Sequence, residues 1–278
     1  MSLLSTACKK KSLLTGNTII KLFSFMHFVV ISIFPEMFSA LTAHGISSRA
    51  LATDTIQIST INPRDFTTNA YQSVDDRPFG GGVGMVMRYE PLEKSLLQAK
   101  KTLTPSARVV YLSPQGTCLT QERIKALCQA PELILLCGRY KGIDERIIKD
   151  YVDEEISIGD YVLSGGEIPA MVLIDSIARL LPNALNTPES AHGDSFYDGL
   201  LDHPHYTRPA VLENGSAVPE VLLSGNHQKI DQWKHKQRLK QTLKKRNDLI
   251  NWQRLSDQDQ EFVRQLAENN NDNDKKSN

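Results

Sequence analysis

The sequence lacks both a zinc-type cysteine pair and any net charge. Its four cysteines, Cys8, Cys118, Cys128 and Cys137, include no two at the spacing of a zinc or redox motif, and they form no recognisable disulfide framework. Lys plus Arg and Asp plus Glu each number 32 in 278 residues. This balance argues against a protein that binds nucleic acid over its whole surface. It does not exclude local basic patches.

A long uninterrupted apolar segment is also missing. The stretch 22–34 follows Lys9, Lys10 and Lys11 as in a signal peptide, but polar residues such as Ser24 interrupt it, and it is too short to span a bilayer. Residues 28–34 instead predict a buried first strand. We therefore expect no membrane association, a cytoplasmic location, and an upstream extension at 1–25 that is disordered or not native.

Strand-like apolar runs alternate with helical patterns over residues 26–182. The runs are 28–34, 55–61, 108–112, 133–137 and 155–158, and the helical patterns include 90–100, 120–129 and 169–181. This alternation predicts an α/β domain with a mainly parallel sheet.

The remainder of the chain changes character. Residues 183–194 have no apolar period and predict a linker, 195–267 predict a helical domain, and the polar stretch 268–278 predicts a disordered tail. Residues 226–254 contain nine Lys or Arg against two Asp, with Trp233 and Trp252 between them. Such a region is either a solvated helical face or a surface that contacts phosphates.

Three glycine-bearing loops each follow a predicted strand, at 112–116, 137–142 and 158–166. One such loop is usually only a turn, but three at the same edge of a parallel sheet indicate one nucleotide-like pocket. A further glycine run at 79–84 lacks the Lys-Ser/Thr of a P-loop. We interpret this run as a flexible loop that faces the substrate.

Seven segments taken together resemble the bacterial tRNA (guanine-37 N1)-methyltransferases of the SPOUT superfamily. They are residues 33–38, 75–82, 111–116, 138–146, 158–167, 201–209 and 218–227. The resemblance implies a SPOUT-type trefoil-knotted domain at 26–182 with a small C-terminal helical domain that grips the tRNA anticodon arm. It also implies an obligate homodimer with a shared active site, and methyl transfer from S-adenosylmethionine to N1 of guanosine 37.

The same resemblance assigns the site residues. The catalytic pair falls on Arg179 and Asp194. The donor-binding positions are Tyr111, Leu112, Ser113, Pro114, Gln115, Gly138, Ile158, Gly159, Asp160, Tyr161, Val162 and Leu163, with Gly165 and Gly166 adjoining. It further implies that Mg²⁺ assists catalysis, with no residue assigned as a metal ligand.

The chemistry of the reaction gives the two catalytic residues their roles. N1 of guanine carries a proton at neutral pH, so the enzyme must remove it and stabilise the charge that gathers on O6. A carboxylate can do the first and an arginine the second. Local sequence alone favours simpler interpretations: Asp194 as the cap of a helix over 195–201, and Arg179 as a solvated side chain. The pair His203 and His205 is interpreted as structural or RNA-contacting rather than metal-binding.

Three positions depart from the family pattern. Lys141 stands where the family usually has Glu, Val83 where it has Pro, and His203 where Cys is common. The first reverses a charge beside the donor pocket. Two alternatives stay open: a SPOUT enzyme that methylates ribose 2′-OH, and a non-catalytic RNA-binding protein, which only Lys141 supports.

Overall fold

A computed structural model describes residues 10–15, 18–23, 25–182, 184 and 193–276. The chain divides into two compact units, 1–188 and 189–278. The boundary falls within the predicted linker 183–194, most of which lies outside the described residues. Over the described ranges, no helix has the length and apolar character needed to cross a membrane.

A hairpin of β1 (Lys10–Thr15) and β2 (Thr18–Phe23) precedes the main sheet. The expectation of disorder throughout 1–25 differs from the structure at these residues. The segment Thr18–Phe23 is rich in β-branched and aromatic residues, which favour a strand. Whether the extension belongs to the native protein stays a prediction.

The first unit is built on a five-stranded sheet whose neighbouring strands are all parallel. In chain order, the remaining strands are β3 (Met26–Ile31), β4 (Ile56–Ile61), the short β5 (Asp75–Asp76) and β6 (Val86–Met87), β7 (Arg108–Cys118), β8 (Glu132–Cys137) and β9 (Glu154–Ser157). The sheet order is β4-β3-β8-β7-β9. All five predicted apolar runs form its strands, which confirms the α/β class with a mainly parallel sheet, whereas the knot stays a prediction.

Alternate residues of each strand pack on opposite faces of the sheet. The helices of this unit are α1 (Ser39–Ala43), α2 (Gly45–Ala52), α3 (Tyr89–Thr102), α4 (Gln121–Leu127), α5 (Glu145–Tyr151) and α6 (Glu167–Ala178). Leu133 and Leu135 of β8 join the cluster that contains Leu173 of α6. Ile134 between them joins the opposite cluster with Leu92 of α3. Burial on both faces explains why the strands read as continuous apolar runs.

Strand β7 contacts β9 at two places, with a loop between them. Leu112 and Thr117 both pair with Ile156, so residues 113–116 project from the edge of the sheet. A Cβ added to Gly116 would collide with the backbone of Glu155 and Ile156. Glycine at 116 therefore allows β7 to return to the sheet after the loop.

The second unit contains α7 (Glu220–Leu223), α8 (His227–Lys245) and α9 (Asp257–Lys276). The side chain of Asn226 accepts a hydrogen bond from the Lys229 N–H and caps α8. Leu239 of α8 and Val263 of α9 are fully buried.

Two expectations for this unit are corrected. Helix α9 continues to Lys276, into the stretch 268–278 that was expected to be disordered. Extending an existing helix costs much less than starting one, so polar residues can follow a nucleated segment. Residues 195–200 form turns and bends, and no helix covers 195–201, so the interpretation of Asp194 as a helix cap is wrong.

Candidate active site

The loop at 113–116 within β7 and the loops that follow β8 and β9 surround one cavity of about 520 Å³. This position, outside the carboxyl ends of parallel strands, is where open α/β sheets bind ligands. Every residue predicted to hold the methyl donor lines the cavity except Asp160, which lies between two lining residues: Tyr111, Leu112, Ser113, Pro114, Gln115, Gly138, Ile158, Gly159, Tyr161, Val162, Leu163, Gly165 and Gly166. The structure thus brings the three predicted loops together.

Because glycine has no Cβ, these loops pack closely against one another and against Tyr111. A Cβ on Gly138 would lie 2.8 Å from the Tyr111 hydroxyl oxygen, and one on Gly166 would lie 2.8 Å from Cys137 Cα. Gly159 has a φ of +146°, and its Cβ would lie 2.5 Å from Cε1 of Tyr161. Any side chain at these positions would either clash or occupy the cavity.

A buried ion pair joins the loop after β8 to the start of α6. The Arg139 Nε donates to Glu167 Oε2 at 2.9 Å, and the Ser32 hydroxyl donates to Glu167 Oε1 at 2.7 Å. The Glu167 side chain is only 1% exposed. The Arg139 guanidinium also lies over the Phe34 ring, 4.6 Å from its centroid. A carboxylate this deeply buried is stable only because both oxygens have partners.

The segment before α3 contributes two lining residues that the sequence did not predict, Gly84 and Met85. The Lys141 N–H donates to the Met85 carbonyl at 2.9 Å, and the Met87 N–H donates to the Gly142 carbonyl at 2.9 Å. These backbone bonds hold the two segments side by side. Backbone pairing carries no residue-type signature. The glycine run 79–84, which the sequence predicts to face the substrate, ends at Gly84 and is the one sequence feature that indicates this segment.

Other lining residues outside the predicted set belong to the same loops or to their flanking elements: Arg139, Tyr140, Lys141, Gly142, Ile156, Ser157, Ser164 and Pro169. Arg139 and Lys141 are the charged residues among those that line the cavity. Burial is the main cause that raises the pKa of Tyr111 to about 12, and the nearby Glu155 carboxylate is the second. The Tyr111 phenol is therefore neutral. Burial also raises the pKa of the Cys137 thiol well above its usual range, which makes Cys137 a poor nucleophile.

The two predicted catalytic residues belong to different units. Arg179 is the first residue after α6, is partly buried, and donates its backbone N–H to the Asp175 carbonyl at 3.1 Å. Asp194 is partly buried in a run of bends and turns, where its carbonyl accepts from the Tyr197 N–H at 3.3 Å. Neither unit contains both residues, so their meeting at one site stays a prediction.

The cavity and its loops lie within a region that matches a known protein family. The model of the tRNA (Guanine-1)-methyltransferase TrmD family matches residues 26–252. The chain belongs to this family. The curated tRNA (guanine-N(1)-)-methyltransferase of Francisella tularensis subsp. holarctica is 56% identical over 238 residues, which cover 86% of this chain and 94% of that protein. The one from Pseudomonas putida (strain W619) is 54% identical over 243 residues, covering 87% and 97%.

Membership of the TrmD family confirms the resemblance seen in the sequence. The matched region begins at Met26, the first residue of β3, and it includes all three loops around the cavity. The family implies a methyl donor and a tRNA substrate. It does not by itself assign the residues that hold either one.

Replacing Glu167 with Gln should destabilise the first unit by about 3–5 kcal/mol, the usual cost of breaking a buried ion pair. Gln offers one acceptor oxygen, so either Ser32 or Arg139 would face an NH₂ group. Urea unfolding measures the change. Glu145→Gln is the matched control, because Glu145 pairs with Lys149 on the exposed face of α5. Equal losses in the two variants would contradict a structural role specific to Glu167.

Proposed function

We propose that this protein is a tRNA (guanine-N1)-methyltransferase that transfers the methyl group of S-adenosylmethionine to N1 of guanosine 37, next to the anticodon. This modification would maintain the reading frame during translation. The protein would act in the cytoplasm as a homodimer. The observation that carries the proposal is the cavity formed by three glycine loops within the region that the family model matches.

The cavity fits the methyl donor in size and chemistry. A volume of about 520 Å³ lies within the range of small-ligand sites. Leu112, Ile156 and Leu163 give it apolar walls, while the glycine loops expose backbone N–H and C=O groups that can pair with an adenine edge. When bound, S-adenosylmethionine supplies an electrophilic methyl group on a positively charged sulfur.

The lining does not fit a Mg²⁺ site. Mg²⁺ prefers carboxylate oxygens and water, and no carboxylate is among the residues that line the cavity. The expectation that Mg²⁺ assists the reaction therefore stays without an assigned ligand.

The reaction requires one bond exchange and one proton transfer. The N1 lone pair of the deprotonated guanine attacks the methyl carbon, and the carbon–sulfur bond breaks with its electron pair going to sulfur. The sulfonium becomes a neutral thioether, and the N1 proton goes to a base. We assign Asp194 as this base and Arg179 as the group that stabilises negative charge on O6.

The family resemblance supports a site that two subunits complete together. Arg179 follows α6 in the same unit as the cavity, whereas Asp194 belongs to the second unit. In the proposed homodimer, Asp194 of one subunit acts with Arg179 and the donor cavity of the other. Each dimer would then have two such sites.

Helix α8 provides the proposed tRNA-binding surface. Lys229, Lys236, Lys240, Lys244 and Lys245 of this helix are exposed. Arg238 is less available, because its guanidinium pairs with Asp198. A row of exposed lysines on one helix is suited to the phosphates of an RNA backbone such as the anticodon arm.

The direct test is a single-turnover assay with radiolabelled S-adenosylmethionine and tRNA, followed by nucleoside mapping. We expect label on N1-methylguanosine at position 37. Label on a ribose 2′-hydroxyl would replace the proposal with the alternative SPOUT activity. RNA binding without any transfer of label would identify a non-catalytic protein.

Gly159→Val should weaken S-adenosylmethionine binding at least tenfold, because a branched side chain would enter the cavity and collide with Tyr161. Calorimetry on the folded variant measures the affinity. Gly45→Val is the matched control: Gly45 also has a positive φ, +79°, so Val there also introduces backbone strain, but Gly45 does not line the cavity. Unchanged affinity in Gly159→Val would remove this loop from the donor site.

Replacing Lys240, Lys244 and Lys245 together with Ala should weaken tRNA binding and reduce the slope of log affinity against log salt by about 2–3. Fewer counterions would be released on binding, while donor affinity should not change. The control replaces Lys94, Lys100 and Lys101 of α3, which removes the same charge elsewhere. Identical salt slopes for the two triple variants would show that α8 has no special part in tRNA binding.

Lys141→Glu should raise kcat/KM by about tenfold. Reversing the charge on the cavity wall replaces repulsion of the sulfonium with attraction, a change on the order of 1–2 kcal/mol at high dielectric. Steady-state methylation assays measure it, and Lys149→Glu on α5 controls for a distant charge reversal. Lower efficiency in Lys141→Glu would show that this chain has adapted to the lysine.

Asp194→Asn should lower kcat by at least about a hundredfold, because Asn cannot accept the N1 proton. Donor binding and folding should persist. Arg179→Ala should slow the same step, and the double variant should be clearly non-additive if both residues act on one transition state. Single-turnover rates measure all three. A near-wild-type rate in Asp194→Asn would exclude it as the base.

Mixed dimers test the sharing of the site. Combining Asp194→Asn subunits with Arg179→Ala subunits should restore one intact site in each heterodimer. Inactive heterodimers would contradict a site built from two subunits that work independently.

A further inference from the structure

The motif formed by His203, Pro204 and His205 has no part in the proposed reaction, yet the structure adds a third group to it. Asp202, His203 and His205 each place one ligand-type atom within 4.8 Å of the others. We call these three residues the Asp202 cluster. Over the described part of the chain, it is the one group of three His, Cys, Asp or Glu side chains arranged in this way.

The distances within the Asp202 cluster are close to those around a bound ion. His205 Nε2 lies 2.8 Å from Asp202 Oδ2, and His203 Nε2 lies 3.9 Å from Asp202 Oδ1. Zinc–nitrogen bonds of about 2.0–2.1 Å in tetrahedral geometry separate neighbouring ligand atoms by roughly 3.4 Å. The two measured separations run to different oxygens of the Asp202 carboxylate and lie on either side of this value, each within about 0.6 Å of it. The ligand-type atoms of all three residues lie within 4.8 Å of one another.

The surrounding contacts orient the imidazole and the carboxylate. His203 Nδ1 lies 3.2 Å from the Pro204 carbonyl oxygen. A carbonyl oxygen only accepts, so Nδ1 carries the hydrogen and Nε2 keeps its lone pair for a ligand bond. This pattern, with the second ring nitrogen bonded to a carbonyl, is usual for metal-binding histidines. The His203 backbone N–H also donates to Asp202 Oδ1 at 2.6 Å, which fixes the carboxylate.

We propose that the Asp202 cluster binds one divalent transition-metal ion of the Zn²⁺ type. Two imidazoles and one carboxylate suit Zn²⁺, Co²⁺ or Ni²⁺ better than Mg²⁺ or Ca²⁺, which prefer oxygen ligands. His205 is well exposed, so water or another oxygen ligand can complete the coordination. The ion replaces the hydrogen between His205 Nε2 and Asp202 Oδ2, so binding at this position releases a proton.

The second unit offers a matched pair that lacks the third ligand. His235 Nε2 lies 2.8 Å from Asp259 Oδ1, the same separation as in the His205–Asp202 pair. If a His–carboxylate pair alone were sufficient, both places would bind the ion. The proposal requires that only the Asp202 cluster does so with high affinity.

The experiment titrates Zn²⁺ by calorimetry into the full chain after removal of metal with a chelator. Wild type and His235→Ala should each bind one ion with the same affinity. Either His205→Ala or Asp202→Asn should weaken binding at least tenfold. His205 is exposed and Asn has the shape of Asp, so both variants should fold, and thermal unfolding checks this. No saturable binding by wild type, or equal binding by both ligand variants, would overturn the proposal.

Trp233 supplies a second, local measurement. Its ring centroid lies 6.4 Å from that of His203, so bound Co²⁺ should quench Trp233 fluorescence and show the visible absorption of nitrogen-coordinated cobalt. Trp252→Phe leaves Trp233 as the only tryptophan and isolates its signal. Excess Zn²⁺ should reverse the quenching. Quenching that persists in His205→Ala would place the ion elsewhere and contradict the proposal.

Discussion

Burial of the Glu167 carboxylate constrains the segments around the cavity through both of its oxygens. Its two oxygens need partners because water cannot reach them, and the partners come from the end of β3 and the loop after β8. Arg139 also donates to the Ser164 carbonyl at 3.3 Å, which ties in the loop before α6. Three segments distant in sequence must therefore keep their relative positions, or a charge would be left buried without compensation.

Local chemistry made much of the first unit predictable. Parallel strands buried on both faces need continuous apolar runs, and their carboxyl ends share one edge, so glycine loops such as those beginning at Leu112 and Cys137 were expected to converge. Gly84 and Met85 were not expected at the cavity, because backbone bonds to Lys141 and Gly142 bring them there. Backbone hydrogen bonds between distant segments do not require particular residue types, so the sequence does not predict them.

The second unit was less predictable from sequence. Polar residues beyond Glu268 continue a helix because the preceding turns nucleate it, whereas residues after Asp194 remain in turns despite a plausible cap. Sequence alone does not indicate Asp202 as a partner of the two histidines, because side chains of neighbouring residues meet only where the backbone bends. Only the family resemblance assigns Arg179 and Asp194 to the catalytic pair, because their local sequence indicates a solvated side chain and a helix cap.

The return of β7 to the same partner strand has a consequence for how the sequence can vary. Because Leu112 and Thr117 both pair with Ile156, the four residues between them form a loop whose two ends are fixed almost at one point. A one-residue insertion or deletion that shifted the second pairing would turn its side chains to the wrong face. A library of variants selected for folding alone should therefore tolerate substitutions at Gln115 far better than any change of loop length or any side chain at Gly116.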